Sequence, residues 1–258
     1  MESLNESIAA AMDCGGLDII EYLPYILQDF WDIGSSPEDI TGLVKKYKKN
    51  PSSLEVLDLG SGKGAVSIIL ASELGCRCHG IDGIGEFVSY SQEKAREYKV
   101  DSLCTFEEGD IRTMLPGLGR FDCIILGAIG PVLGDYFKTL SALGVHLNDG
   151  GIIIVDDAYT EDSAQFERPG LLKKPELLDQ IARAGMELVD EIVASGLEET
   201  KEIYDTQMEL IVKRCGELCR KYPEKKSLFK AYEEQQAREY TVLDTELICS
   251  TFVIRKKP

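Results

Sequence analysis

From Leu54 onward, short apolar runs alternate with longer stretches in which apolar residues recur every three to four positions. The runs are EVLDL, CRCHGID, LCTFEEGD, FDCIILG and GIIIVDD. Between them lie amphipathic stretches at about 63–74, EFVSYSQEKAREYK and VLGDYFKTLSALGV, and PELLDQIARAG follows the fifth run. This alternation predicts βαβ units and an α/β fold. CIIL and IIIV are apolar at consecutive positions, as central strands covered on both faces require. A sixth run, MELVDEIVAS, precedes residues 197–241, where Glu, Lys, Arg and Leu fall with helical periodicity around a break at Pro223. The final run, ELICSTFVIRKK, predicts a seventh strand, so the helical pair is an insertion in the sheet and not a C-terminal domain. Upstream, residues 17–31 (LDIIEYLPYILQDFW) have near-helical spacing broken at Pro24, and SSPEDITGLVKKYKK predicts a capped helix with Pro37 in its first turn. The chain thus divides into an N-terminal helical cap, residues 1–50, and an α/β domain, residues 51–258, whose insertion at about 197–241 is expected to form a lid.

Charge narrows the partners. Lys and Arg number 28 against 45 Asp and Glu, a net charge of −17, which repels a phosphate backbone and argues against nucleic acid. No apolar run approaches the roughly 20 residues of a membrane span, and the opening MESLNESIAA is acidic where a secretory signal is basic and then apolar. A cytoplasmic protein with no membrane partner is expected. The eight cysteines form no CxxC pair and only His79 and His146 could assist them, so no metal site is expected and most thiols read as small core residues. Cys215 and Cys219, four apart, share a helix face.

The most informative stretch is Val56-Leu57-Asp58-Leu59-Gly60-Ser61-Gly62-Lys63-Gly64, a strand entering a glycine turn and then a helix. Glycines there let the backbone turn tightly and approach a ligand, and the helix start offers free N–H groups. A phosphate-binding P-loop does not fit, because Lys63 is followed by Gly64 and not by Ser or Thr. The dinucleotide fingerprint does fit in relaxed form, as Gly60-x-Gly62-x-x-Ala65 with Asp82 about 20 residues on. Asp58 weighs against it: a carboxylate two residues before the first glycine would repel a diphosphate and welcome a cation.

These residues resemble the class I S-adenosylmethionine-dependent methyltransferases over roughly residues 54–160. Asp58-x-Gly60-x-Gly62-x-Gly64 is similar to the family's first motif, with Ser61 inside it. The resemblance implies that Asp58 serves the amino acid end of S-adenosyl-L-methionine and that Asp82, followed by Gly83, accepts the ribose hydroxyls. It implies that Gly109 and Asp110 flank the adenine, with Ile111 packed on the ring, and that Gly127 lines the methyl-transfer site. It further implies a doubly wound, seven-stranded, mostly parallel sheet in the order 3-2-1-4-5-7-6 with an antiparallel seventh strand. The glycines can equally serve tight turns, and Asp82 and Asp110 can equally cap helices.

For the acceptor, the Asn or Asp followed by Pro-Pro and an aromatic residue, found in amino-group methylating members, is replaced by Gly127-Ala128-Ile129-Gly130-Pro131. After the fifth run, Asp156, Asp157 and Tyr159 are candidates to orient an amine or accept a proton, with Asp157 and Tyr159 taken as the catalytic pair. Tyr22, Tyr25 and Trp31 are candidates to close the acceptor pocket. A small-molecule acceptor is expected. The rival readings are a non-catalytic S-adenosylmethionine sensor, a nicotinamide-dependent oxidoreductase and an aminopropyl transferase.

Overall fold

The seven runs form seven strands in a computed structural model, which describes residues 3–166, 168, 170–194 and 198–257. They are β1 (Glu55–Leu59), β2 (Arg77–Asp82), β3 (Cys104–Glu108), β4 (Phe121–Gly127), β5 (Leu147–Tyr159), β6 (Met186–Val193) and β7 (Ile248–Lys256). They pair in one sheet, β3-β2-β1-β4-β5-β7-β6, parallel from β3 to β5, with β7 antiparallel to both β5 and β6. The expected order and the antiparallel seventh strand are therefore present.

The helices are α1 (Leu4–Ala11), α2 (Leu23–Ile26), α3 (Pro37–Tyr47), α4 (Ala65–Leu74), α5 (Gly85–Glu97), α6 (Ile111–Met114), α7 (Tyr136–Gly144), α8 (Lys174–Arg183), α9 (Glu198–Lys221) and α10 (Lys226–Thr245). Successive residues of a strand point to opposite faces, and the sheet builds two cores on that rule. Val56, Cys123, Ile125, Ile152 and Ile154 pack with Ile40 and Val44 of α3 and Ile68 and Leu70 of α4. Their strand neighbours Leu57, Ile124, Leu126, Ile153 and Val155 pack on the other face with Leu140 and Leu143 of α7 and Leu177 and Ile181 of α8. Each fully buried Leu or Ile contributes about 1.5–3 kcal/mol.

A third core joins the two ends of the chain. Ile19, Leu23, Ile26 and Leu27 pack with Ile211 and Cys215 of α9, Phe229 and Tyr232 of α10, and Ile84 and Phe87 just beyond the carboxyl end of β2. The N-terminal segment and the inserted pair α9–α10 thus share one apolar layer at the edge of the sheet where its strands end.

Local departures from the expected pattern have physical reasons. Helix α1 is closed by a capping box, Glu6 N donating to Ser3 Oγ (3.2 Å) and Ser3 N to Glu6 Oε2 (2.7 Å); the Ser3-x-x-Glu6 signal was present in the sequence. Pro24 does not break a helix: a 3-10 turn over Leu17–Tyr22 precedes it, and Pro24 sits in the first turn of α2, where its missing N–H costs nothing. Helix α10 continues to Thr245, past the expected end at 241, while residue 197, the expected start, lies outside the described residues. Among the described residues no helix is long and apolar enough to cross a membrane, and no group of three His, Cys, Asp or Glu could hold a metal ion.

Candidate active site

Strand β1 ends at Leu59, and the chain turns through Gly60, Gly62 and Gly64 at φ of 72°, 53° and 75°, a region that L side chains avoid. The amides of Gly60 and Ser61 donate to Ile81 O (2.8 and 3.0 Å), tying the turn to β2. Gly60 and Gly64 are required by packing as well: a Cβ would lie 2.3 Å from Ile129 Cγ2 at the first and 2.8 Å from Ser91 Cβ at the second. A Cβ on Gly62 would meet nothing within 4 Å, so this glycine faces open space.

Two buried carboxylates flank the turn. Asp58, on β1, accepts a hydrogen bond from Ser67 Oγ (2.7 Å); burial pushes it up to about 6, against the pull of Ser67 and with help from Asp82. Asp82, ending β2, accepts from Gly62 N (2.8 Å) and Ile84 N (2.9 Å). Burial pushes Asp82 to about 6 as well, despite the N–H groups of Ile84, Gly62 and Gly83. Gly83 lies beneath α1, with Ile8 Cδ1 3.0 Å from where its Cβ would be.

The strip after β3 is more engaged than expected. Asp110 caps α6 through Arg112 N (2.9 Å) and pairs with the Arg112 guanidinium (2.7 Å), which holds its carboxyl below the usual range. Gly109 N donates to Asp82 O (2.9 Å). Ile111 is buried in the same cluster as Ile81 and Leu115.

Between the glycine turn and the N-terminal segment is a cavity of about 30 Å³, lined by Trp31, Asp32, Ser35, Asp58, Ser61 and Gly127 among others. That is about one water molecule's share of liquid. The buried hydroxyls of Ser35 and Ser61 make no hydrogen bond among the described residues. A Cβ on Gly127 would lie 2.6 Å from Ser35 Oγ, so the end of β4 and the start of α3 meet here at the closest spacing glycine allows.

Lys63, which in the sequence serves only to discard a P-loop, lines the cavity and ties the glycine turn to the N-terminal segment. Its Nζ donates to Leu27 O and to Phe30 O (2.6 Å), and Trp31 Nε1 donates to Lys63 O (3.2 Å). Burial pushes the ammonium down to about 8, against the charge of Asp29. The partners are main-chain carbonyls more than 30 positions upstream, and no side-chain pattern announces them.

The expected acceptor-side residues divide. Trp31 lines the cavity. Tyr22 instead packs in the third core, its ring 4.9 Å from Phe229 and its hydroxyl 2.7 Å from Lys225 Nζ. Tyr25 is 40% exposed and donates to Glu217 Oε2 (2.7 Å). Asp157 and Tyr159 lie together on the face of β5 that carries Ile153 and Val155, away from the cavity. There Asp157 accepts from Tyr136 Oη (2.9 Å), and Tyr159, 4% exposed, donates to Glu191 Oε1 (2.9 Å). Tyr22, Tyr25, Asp157 and Tyr159 are thus placed in packing and ion-pair networks and not on the cavity. Asp156 is on the opposite face, beside Gly127 in the β4–β5 register, the face that Asp58 shares with Val56. Burial pushes Asp156 up to about 6, against the nearby Ser35 and Thr251 and with Asp157 and Asp39 adding to it; Ser35 is close enough for Asp156 to feel without hydrogen-bond geometry.

With this geometry in place, comparison with known proteins gives a consistent result. A profile of the methyltransferase domain matches residues 50–244. The release factor glutamine methyltransferase of Buchnera aphidicola subsp. Baizongia pistaciae (strain Bp) is 36% identical over 85 residues, 31% of this chain and 30% of that protein, so the match spans under a third of that relative. Among solved structures, a SAM-dependent methyltransferase from Geobacter sulfurreducens in complex with S-adenosyl-L-homocysteine superposes with a TM-score of 0.75 at 22% identity, covering 92% of this chain and 98% of that one. One from Thiobacillus denitrificans, in complex with the same molecule, gives 0.74 at 20% identity, covering 91% and 98%. At such identities the structures establish a shared fold. Since the matched profile runs from the residues before β1 to the end of α10, the chain belongs to the methyltransferase domain family, in the fold of the class I S-adenosylmethionine-dependent enzymes.

Proposed function

We propose that this chain transfers a methyl group from S-adenosyl-L-methionine to a small-molecule acceptor. The observation that carries the reading is the pair of buried carboxylates, Asp58 and Asp82, on either side of a glycine turn whose middle residue faces open space. The residues present fit this cofactor. Its ammonium and sulfonium suit buried anions, and the unpartnered hydroxyls of Ser35 and Ser61 suit its polar amino acid end. A dinucleotide's diphosphate would meet the buried carboxylate of Asp58, while the Lys63 ammonium is committed to carbonyls.

When bound, the cofactor supplies an electrophilic methyl group. Asp82 holds the ribose hydroxyls, since its two hydrogen bonds leave acceptor capacity on the carboxylate. Asp58 faces the amino acid end, with Gly60, Ser61, Gly62 and Gly64 as the cradle and Gly127 beside it. Gly83, Gly109, Asp110 and Ile111 border the adenine, and Asp110 acts there while paired to Arg112. On the acceptor side Asp156, not Asp157 or Tyr159, orients an acceptor amine or takes a hydroxyl proton, because it shares the face of Asp58 and Gly127. Positioning supplies much of the rate in such a displacement. The N-terminal cap and α9–α10 exclude water; their coverage of the strand ends favours a small acceptor, as does the absence of the Asn/Asp-Pro-Pro sequence after β4. None of the eight cysteines forms a disulfide, which suits a reducing, cytoplasmic setting.

Calorimetric titration with S-adenosylmethionine, S-adenosylhomocysteine and NADH, on the wild type and on Asp82→Ala, tests the cofactor. Binding of the first two, lost in the variant, is the expected result, and binding of NADH alone overturns it. A panel of amine, hydroxyl and thiol compounds with labelled S-adenosylmethionine then tests transfer; cofactor binding with no transfer to any member favours a sensor.

A further inference from the structure

Lys63 is 3% exposed and is held by main-chain oxygens at the end of α2, those of Leu27 and Phe30. Its ammonium also lies 5.6 Å from the ring centre of Phe87 and 5.1 Å from that of Tyr90, a geometry that favours a cation. The same residue's own carbonyl accepts from Trp31 Nε1. One residue of the glycine turn therefore grips the N-terminal segment twice, through its side chain and its main chain. From the other side, Arg214 of α9 pairs bidentately with Asp29 (2.6 and 2.7 Å), and Glu217 accepts from Tyr25 Oη. The stretch from Tyr25 to Trp31 is clamped between the glycine turn and the inserted helix.

Beneath this clamp the cavity is about 30 Å³, room for a water molecule or two. We propose that Lys63 is a positioning residue that clasps residues 27–31 to the glycine turn, and that this clasp opens to admit the cofactor and closes again over it. The proposal rests on the cofactor reading above and adds an order of events to it: opening precedes binding, and the closed cap brings Trp31 against the turn.

Trp31 is the chain's only tryptophan, so intrinsic fluorescence reads the clasp directly. The test pairs hydrogen–deuterium exchange of the unliganded full chain with stopped-flow fluorescence on mixing with S-adenosylhomocysteine, for wild type, Lys63→Met and Lys63→Arg. Loss of two hydrogen bonds from a charged donor is expected to speed exchange in residues 26–31 by about tenfold or more in Lys63→Met, with β1, β2 and β4 unchanged. In the wild type the observed association rate levels off with rising ligand at the opening rate. In Lys63→Met it rises linearly and dissociation is faster, and Lys63→Arg, which can still donate to both carbonyls, restores the plateau. Lys63→Gln, with one donor pair left, replaces Lys63→Met if the latter does not fold.

Exchange at 26–31 equal to the wild type overturns the clasp, and faster exchange spread evenly over the sheet marks Lys63 as a general stabiliser and overturns it too. A wild-type association rate linear in ligand overturns the gating. Failure of the wild type to bind S-adenosylhomocysteine overturns the cofactor reading and gating together, while the exchange comparison still decides whether the clasp holds the segment.

Discussion

The amide of Gly62 donates to Asp82 Oδ2 over 2.8 Å, so the middle of the glycine turn is held by the carboxylate that ends the neighbouring strand. The other oxygen accepts from Ile84 N at 2.9 Å, fixing the chain as it leaves β2. One side chain thereby sets the shape of the turn and presents an anion beside it. A ligand at this site meets a cradle whose geometry depends on that anion.

Asp82→Ala leaves two amides without their acceptor, and a buried unpaired donor costs about 1–3 kcal/mol. Lower thermal stability and a loss of S-adenosylhomocysteine affinity are both expected. Asp82→Asn keeps one acceptor oxygen and most of the stability, yet loses the charge, so its affinity falls at nearly unchanged melting temperature. Equal affinity in wild type and Asp82→Asn, measured by calorimetry, would show that the charge is not used.

Asp58, Asp82 and Asp156 are each raised to about 6 by burial, above an unfolded value of about 3.9. The folded state therefore holds more protons between these values, and stability falls as pH rises through that window, with the penalty complete above about 6 and on the order of 3 kcal/mol per group. Carboxylates held low by partners, such as Asp110 with Arg112 and Asp190 with Lys46, lose their contribution only at more acidic pH. Urea midpoints at pH 5 and 7.5 are expected to favour pH 5, with a smaller difference in Asp58→Asn. A cationic ligand favours the ionised forms, so S-adenosylmethionine should bind more tightly as pH rises through 6 and release protons on binding. A binding enthalpy independent of buffer ionisation would contradict this.

Gly64 and Gly62 share a left-handed backbone but not surroundings. Gly64→Ala adds a clash with Ser91 Cβ and Phe106 Cζ at 2.8 and 2.9 Å to the strain at φ 75°, and overpacking with strain costs about 1–3 kcal/mol. Gly62→Ala at φ 53° meets nothing within 4 Å and pays only the left-handed penalty, about 1–2 kcal/mol. The first substitution is expected to lower the melting temperature more, and the second to lose more ligand affinity per degree lost. The reverse ranking would place the ligand elsewhere.

The strands were legible because apolar runs in EVLDL, CIIL and IIIV need both faces covered, and the glycine turn was legible because three glycines at alternate positions serve only a sharp turn. Their order in the sheet came through resemblance, since periodicity does not specify which strand lies beside which. Asp157 and Tyr159 lie away from the cavity for a reason that β5 itself held: with side chains alternating, Asp156 belongs with Ile152 and Ile154, and Asp157 with Ile153 and Val155. Which face meets the crevice is set by where α3 and the N-terminal segment pack, a matter of tertiary structure. Tyr22 and Tyr25 are drawn off the cavity by the same cause, because their partners Phe229 and Glu217 belong to an insertion about 200 positions away.

Asp156 and Asp157 give the sharpest contrast on the acceptor side. Asp157→Asn weakens the bond from the Tyr136 hydroxyl (2.9 Å) and the one from Ala158 N (2.8 Å), so stability is expected to fall by about 1 kcal/mol with cofactor affinity and methyl transfer retained. Asp156→Asn removes a buried charge that has no ion-pair partner among the described residues, so stability at pH 7.5 is expected to hold or rise, while transfer to the acceptor identified by the panel falls about 100-fold if the carboxylate takes a proton. Tyr159→Phe loses the bond to Glu191 (2.9 Å), leaving transfer intact. Measured as kcat with saturating cofactor, a loss at Asp157 or Tyr159 and none at Asp156 would return the chemistry to the other face of β5.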